Sequence, residues 1–395
     1  MVLLSLVSSL VEHYFTTREP LRQFSTKDGT PLTRLRNVIK RVLKKIVSVR
    51  IEKQVEHLPD PMDSSHKTAT RYTLAKDWQA MRDKTDWMSV PSMPDYVNGL
   101  VSGRPLSDQG HWAVYARDKY VLPMCSKRNG RLEMVSLACG SGHIEEALVK
   151  EFDWPITRFL GLEYDDLLRA SAADRFARIP GCQSRFEFFN FNAPDFPNEQ
   201  FDILFACHSI HHAINIEGLL VMMNRMLKLD GLIIGLDYFG PTRFQIEYEV
   251  LPIIQELFSY LPPRLRRNLS TPDTRVEDHL TFDTIAAVRE NDPSESVRSS
   301  DLRTLLFSSF PIIEIKPMGG TLLRWLFYNR AGNFNPNNPE DVTIIRLLQL
   351  IERELILLRR IQSDDLFFVL GKSDRLQGEI FRRGLVTQLI SPSLP

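Results

Sequence analysis

Met134-Val-Ser-Leu-Ala-Cys-Gly140-Ser-Gly142-His-Ile-Glu145 is the stretch on which the fold turns. An apolar run ends in two glycines one residue apart, and apolar residues at helical spacing follow from Ile144 to Phe152. Glycines at a strand-to-helix turn let a ligand approach the backbone closely, and the helix that begins there presents unpaired N–H groups. A dinucleotide-binding turn would place a third glycine where this chain has Glu145, so a nicotinamide or flavin cofactor is disfavoured. The chain also has no Walker-type phosphate loop.

Outward from this turn, short β-branched or aromatic runs alternate with helical periods. Strands are expected at Leu132–Ala138, Thr157–Leu162, Arg185–Phe189, Phe201–Ala206 and Leu232–Leu236, with helices at Ile144–Phe152, Leu167–Arg178 and Ile216–Leu229. Two more strands are expected at Ile312–Pro317 and Leu366–Gly371, separated by a helix around Asp341–Arg360. Strand followed by helix, repeated, implies a parallel sheet covered on both faces. The expected fold is therefore α/β: a doubly wound, mostly parallel, seven-stranded sheet with a helical N-terminal extension and helical lid insertions. Residues 1–90 form the extension, broken at Pro20, Gly29-Thr-Pro31 and Pro59-Asp-Pro61. Residues 91–372 form the main domain, with a core at 130–240, a lid and acceptor region at 241–310 and last strands at 311–372. Residues 373–395 are a tail.

Composition narrows the classes. At 395 residues, with 43% hydrophobic and 25% charged residues, the chain can bury a sizeable core. Lys plus Arg and Asp plus Glu are both 49, a balance that points away from a nucleic-acid partner. Cys125, Cys139, Cys182 and Cys207 have no CxxC spacing, which implies neither a disulfide framework nor a zinc site. No apolar run reaches the length of a membrane span, and the opening fifteen residues lack a basic start. A cytoplasmic protein is expected. Arg34–Lys53 is a basic amphipathic stretch for which weak contact with an anionic membrane surface is a minor expectation.

From Leu132 to Asp237 the chain resembles the class I S-adenosylmethionine-dependent methyltransferases. The resemblance rests on Ala138-Cys-Gly140-Ser-Gly142, on Gly161-Leu-Glu163 ending the second strand, on Phe201-Asp-Ile-Leu-Phe-Ala-Cys-His-Ser-Ile-His-His212, and on the turn Met226-Leu-Lys-Leu-Asp-Gly231. It implies a Rossmann-like methyltransferase fold and S-adenosylmethionine as cofactor. Asp237-Tyr-Phe-Gly-Pro-Thr-Arg-Phe-Gln245, Asp292-Pro-Ser-Glu-Ser-Val-Arg-Ser-Ser300 and Gly319-Gly320 are further similar to bacterial methyltransferases associated with glycan or cell-surface polysaccharide synthesis. That similarity implies a small-molecule or glycan-like acceptor, methylated at oxygen. The chain departs from the pattern at Ser136, where the family commonly has Asp or Glu, and at Ala138, where it commonly has Gly.

The resemblance assigns the cofactor site to Ser136, Ala138, Cys139, Gly140, Ser141 and Gly142, with Cys207 at the neighbouring strand end. Glu163 is expected on the ribose hydroxyls, and Tyr164, Asn190 and Phe191 around adenine. His208, His211 and His212 follow the fourth strand, and a histidine there suits a general base because imidazole titrates near neutral pH. No nearby carboxylate or thiolate completes a ligand set with them, so no metal is expected. Asp237 and Tyr238 end the fifth strand and are expected to face the acceptor. Arg243 and Gln245, read as the start of a helix, and Arg298, in a polar loop at 291–300 read as a lid with Ser300 as helix cap, are expected to hold it. The competing expectation is a methyltransferase fold kept as a catalytically degenerate binding or scaffolding module.

Overall fold

The computed structural model describes residues 85–104, 110–192, 200–271 and 273–376. The basic stretch 34–53, nearly all of the expected 1–90 extension and most of the tail lie outside the described residues. Seven strands form one sheet: β1 (Leu132–Leu137), β2 (Ile156–Glu163), β3 (Gln183–Phe188), β4 (Phe201–Cys207), β5 (Leu227–Tyr238), β6 (Ile312–Gly319) and β7 (Asp365–Gly371). Their order is β3-β2-β1-β4-β5-β7-β6. The first five run parallel, and β7 is antiparallel to both β5 and β6. The expected doubly wound, mostly parallel sheet is thus found. The order reverses between β1 and β4, and a ligand crevice forms outside the carboxyl ends of strands at such a point.

The central strands are mostly apolar because both of their faces are covered. Met134, Phe159, Ile203, Phe205, Ile234, Phe367 and Val369 enter one core, while Val135, Leu160, Leu204, Ile233 and Phe368 enter the other. Alternate residues of one strand thus serve opposite layers. The helices that cover them are α1 (Met93–Ser102), α2 (Trp112–Ala116), α3 (Leu122–Lys127), α4 (His143–Lys150), α5 (Asp166–Phe176), α6 (Ile216–Arg225), α7 (Leu251–Tyr260), α8 (Ile285–Asn291), α9 (Ser299–Ser309), α10 (Leu323–Phe327) and α11 (Pro339–Leu357). A π turn, Arg117–Val121, joins α2 to α3. No helix among the described residues is long and apolar enough to cross a membrane.

Three expectations about element ends change. The helix expected to reach Leu229 stops at Arg225, because Leu227 already pairs with Phe201 and lengthens β5 through a register shift. Arg243 does not open a helix: Arg243 and Phe244 both have positive φ, and α7 starts only at Leu251. Ser300 does not cap α9, which starts at Ser299 after Arg298. Its Oγ instead accepts the Thr242 N–H at 3.0 Å.

Gly235, in the middle of β5, shows how closely the layers approach. A Cβ there would lie 2.4 Å from the Phe368 ring and 2.8 Å from the Ala206 carbonyl oxygen. The ring could turn, but the carbonyl belongs to the sheet. Gly235→Ala is expected to lower the unfolding free energy by about 1–3 kcal/mol, the usual cost of overpacking, as read from urea denaturation.

Candidate functional site

The glycine turn lies where β1 meets α4, and its two glycines do different work. Gly142 has φ +72°, and a Cβ there would come 3.0 Å from the Ala172 Cβ, so this glycine lets α4 pack on α5. Gly140, with φ +56°, would direct a Cβ into open space with nothing within 4 Å. That open face belongs to the crevice. Ala138 shares the left-handed conformation at φ +48°, a strained choice for a residue with a Cβ. Cys139 is buried and Ser141 is half-buried, its Oγ 3.4 Å from His143 Nδ1.

Glu163 ends β2, adjacent to β1, as expected. Its Oε2 accepts the Gly140 N–H at 2.8 Å and its Oε1 accepts the Asp165 N–H at 2.9 Å. Burial pushes its carboxyl above the ordinary range. The Gly140 bond ties the glycine turn to β2, and the Tyr164 backbone N–H also favours the charged carboxylate. Ser136 is fully buried in β1. Its hydroxyl donates to Glu145 Oε1 at 2.6 Å, so the residue read as a missing third glycine brings a carboxylate beside the strand position that lacked one. Burial raises Glu145 to about 7.

The residues expected around adenine are placed less directly. Asn190 Oδ1 accepts the Asn192 N–H at 2.8 Å, so this oxygen closes a local turn and keeps one lone pair. Phe191 packs edge-on to Phe189 at 4.9 Å, and Tyr164, partly exposed, lies 5.2 Å from the Phe188 ring. Cys207 ends β4, and burial raises its thiol, with Glu145 and Asp237 adding to the effect. The ends of β1 and β4 lie side by side, Leu137 pairing with Ala206.

The histidines sort themselves. His208 has φ +47° and is exposed, its N–H donating to the Leu236 carbonyl at 2.8 Å. A single 3-10 turn, Ile210–His212, follows, so His211 and His212 meet as sequence neighbours with ring centroids 4.2 Å apart. Asp237 is fully buried: its Oδ2 accepts from Ser209 N and Ile210 N, both at 2.9 Å. Its Oδ1 accepts from Tyr238 N at 2.7 Å and lies 2.5 Å from His211 Nδ1. The expectation that Asp237 faces the acceptor is corrected: all its oxygen sites face protein, and it orients His211. With Nδ1–H held by Asp237, the other ring nitrogen, Nε2, is the one left for a proton. Tyr238 is buried and donates to the Pro241 carbonyl at 3.1 Å, which turns it away from an acceptor role as well. Burial would lower the His211 pKa, but the Asp237 charge outweighs it and raises the ring to about 9. His212 moves the other way, lowered by burial and by the neighbouring His211.

The loop at 291–300 lies over this pair. Ser294 Oγ is 3.0 Å from His212 Nδ1, and Glu295 Oε1 is 3.6 Å from His211 Nε2. Burial opposes ionisation of Glu295, but the two histidines hold it below the ordinary range. The three residues expected to grip the acceptor pin the loop and its surroundings instead. Arg298 donates twice to Glu217, and also to Asp301 and the Ile214 carbonyl. Arg243 donates from Nη1 to the Pro293 carbonyl at 2.6 Å and from its backbone to Ser296 O at 2.7 Å, so it does not pair with Glu247. Gln245 donates to the carbonyls of Arg243 and Asp283. Glu295 and Ser294 were missed in the sequence, since nothing local ties them to histidines some eighty residues earlier. Among the described residues, His211, His212 and Glu295 place possible metal-ligand atoms within 4.8 Å of one another, so the fold supplies the carboxylate that the local sequence lacked.

The family model for a methyltransferase domain matches residues 135–233, the span from β1 into β5. Over that span the chain is similar to a methyltransferase domain, and the match implies S-adenosylmethionine as cofactor. An S-adenosylmethionine-dependent methyltransferase from Mesorhizobium loti is 14% identical, with a TM-score of 0.36 over 67% of this chain and 98% of that one. The YcgJ protein from Bacillus subtilis is 16% identical, with a TM-score of 0.33 over 64% and 97%. No curated protein matches the chain in sequence. The segment fits that cofactor: the open face at Gly140 leaves room against the backbone, and Glu145 offers an unpartnered buried oxygen beside it.

Asp237→Asn removes the charge that raises His211 while leaving it buried. The His211 titration followed by NMR is expected to fall from about 9 to below the ordinary imidazole value. An unchanged midpoint would show that Asp237 does not set the charge of the ring.

Proposed function

We propose that the chain transfers a methyl group from S-adenosylmethionine to an oxygen of a small-molecule or glycan-like acceptor. The observation that carries this is the His211–Asp237 pair at the ends of β4 and β5, one strand away from the glycine turn. When bound, S-adenosylmethionine supplies an activated methyl group on a sulfonium centre. Displacement at such a centre asks chiefly for positioning and exclusion of water. Gly140 admits the cofactor to the backbone, Glu163 accepts from its ribose, and the 291–300 loop shields the histidines. A hydroxyl acceptor must lose a proton as it attacks, and His211 Nε2 takes it while Asp237 stabilises the resulting imidazolium. The glycan-like acceptor rests on the resemblance of segments 237–245, 292–300 and 319–320. Their functional side chains serve as scaffold, so the acceptor's own contacts fall to other groups around the crevice.

A second reading, in which His211, His212 and Glu295 hold a divalent cation that binds the acceptor oxygen, is favoured by the closeness of their ligand atoms. The scaffolding alternative predicts no turnover with any acceptor.

Radiolabelled methyl transfer to a panel of sugars and small hydroxyl compounds tests the proposal. Only the neutral ring accepts a proton, so kcat/KM is expected to rise with pH toward the raised His211 pKa of about 9 instead of levelling at the free imidazole value. His211→Gln is expected to lower kcat roughly 10²–10⁴-fold, the usual worth of a general base, and to abolish that rise. Full activity in His211→Gln would contradict the base assignment. Activity lost to a chelator and restored by a divalent cation would favour the metal reading.

A further inference from the structure

We infer that Glu145 supplies the carboxylate that pairs with the α-ammonium group of the bound cofactor, in the place that Ser136 leaves without one. The assignment rests on the S-adenosylmethionine reading of the site and names the residue that recognises the amino-acid end.

Glu145 is in the first turn of α4 and only 3% exposed. One oxygen accepts the Ser136 hydroxyl at 2.6 Å, while the other, Oε2, is buried with no hydrogen-bond partner. No cation is among the groups that influence it; the charged neighbour it feels is Glu163, of the same sign. A carboxylate taken out of water is costly unless paired and hydrogen-bonded, and this one is left half-satisfied.

The same fold shows what a purely structural buried carboxylate looks like. Glu352 is fully buried, yet it accepts the N–H groups of Gly320, Leu322 and Leu323 at 3.1, 2.7 and 2.9 Å and the Tyr96 hydroxyl at 3.1 Å. Those four donors close the entrance to α10 and leave the acid nothing to offer a ligand. Asp237 is satisfied in the same way. Asp202, Asp341 and Asp365 each have a buried oxygen with no hydrogen bond, but each pairs with an arginine; Glu145, with one donor and an idle oxygen between the ends of β1 and β4, has no such cation. Burial and Glu163 push its carboxyl up to about 7, and a cation placed at the idle oxygen would favour the charged form again. The complement is a small cation that donates hydrogen bonds, as a primary ammonium does. Ser136 holds the carboxylate in orientation through its hydroxyl. The helix delivers the acid that the strand no longer carries.

Calorimetric titration of wild-type protein and Glu145→Gln with S-adenosylmethionine, S-adenosylhomocysteine and 5′-methylthioadenosine tests this, because the last compound has the nucleoside and the thioether but no amino-acid group. Glu145→Gln is expected to weaken the first two by roughly 10- to 100-fold, the range for a buried charge-assisted hydrogen bond, and to leave 5′-methylthioadenosine unchanged. The ligand-free variant should unfold at no lower urea concentration than wild type, because it loses an unpaired charge. A Ser136→Asp change added to Glu145→Gln, returning a carboxylate to the strand, should restore amino-acid-dependent binding. Affinities of the variant unchanged from wild type for all three, or an equal loss for all three, would overturn the assignment, the second outcome marking Glu145 as structural. Wild-type protein that binds none of the three overturns the cofactor reading and the assignment with it.

Discussion

The carboxylate of Asp237 sits without solvent exposure at the end of β5, and the functional edge of the sheet is organised around it. It accepts from the backbone of Ser209, Ile210 and Tyr238 and holds His211. A lone buried carboxylate would be costly; one with this many donors remains ionised and fixes what surrounds it. Through it the end of β5 grips the segment leaving β4, whose strands are in register up to Cys207 and Leu236. The grip sets the tautomer of His211, and His211 in turn gives the 291–300 loop a charged group to settle on through Glu295. The loop is then fixed from outside by Arg298 on Glu217 and Arg243 on Pro293.

Most of the fold could be read in the sequence because its central strands are buried on both faces and read as continuous apolar runs. The covered strands fall where those runs are, and the edge strands β3 and β6, exposed or half-buried along most of their length, fall on shorter aromatic or β-branched runs. The start of β5 was not legible, since Lys228-Leu-Asp-Gly231 has the composition of a turn and its pairing is set by β4, not by local preference. The glycine turn was legible in full. The histidines were legible as a group, but the choice of His211 was not, because it depends on a carboxylate 26 residues away in the chain. Glu295 depends on a still longer loop closure. Arg243, Gln245 and Arg298 illustrate the opposite error: a donor-rich side chain near a crevice reads as a ligand contact, yet in each case backbone carbonyls or an internal carboxylate already claim it.

The buried carboxylates separate by how completely the protein satisfies them. Glu352 and Asp237 have their donors from the fold, so they organise structure. Glu163 ties the glycine turn to β2 through the Gly140 N–H. Glu145 retains an oxygen with no partner, and it lies beside Ser136, where the family resemblance calls for an acid. Sites that bind charged ligands commonly keep such local conflicts while the rest of the fold agrees with itself. The glycines divide by the same logic, Gly142 serving the packing of α4 on α5 and Gly140 facing open space.

The central claim is that the crevice at the ends of β1 and β4 binds S-adenosylmethionine and not a nicotinamide dinucleotide. Calorimetric titration of the wild-type chain with each, with Gly140→Arg as the blocked control, tests it most directly. The account predicts binding of S-adenosylmethionine, on the order of micromolar, no heat with NADH, and none with either ligand in Gly140→Arg. Binding of NADH, or S-adenosylmethionine affinity that survives Gly140→Arg, would contradict it.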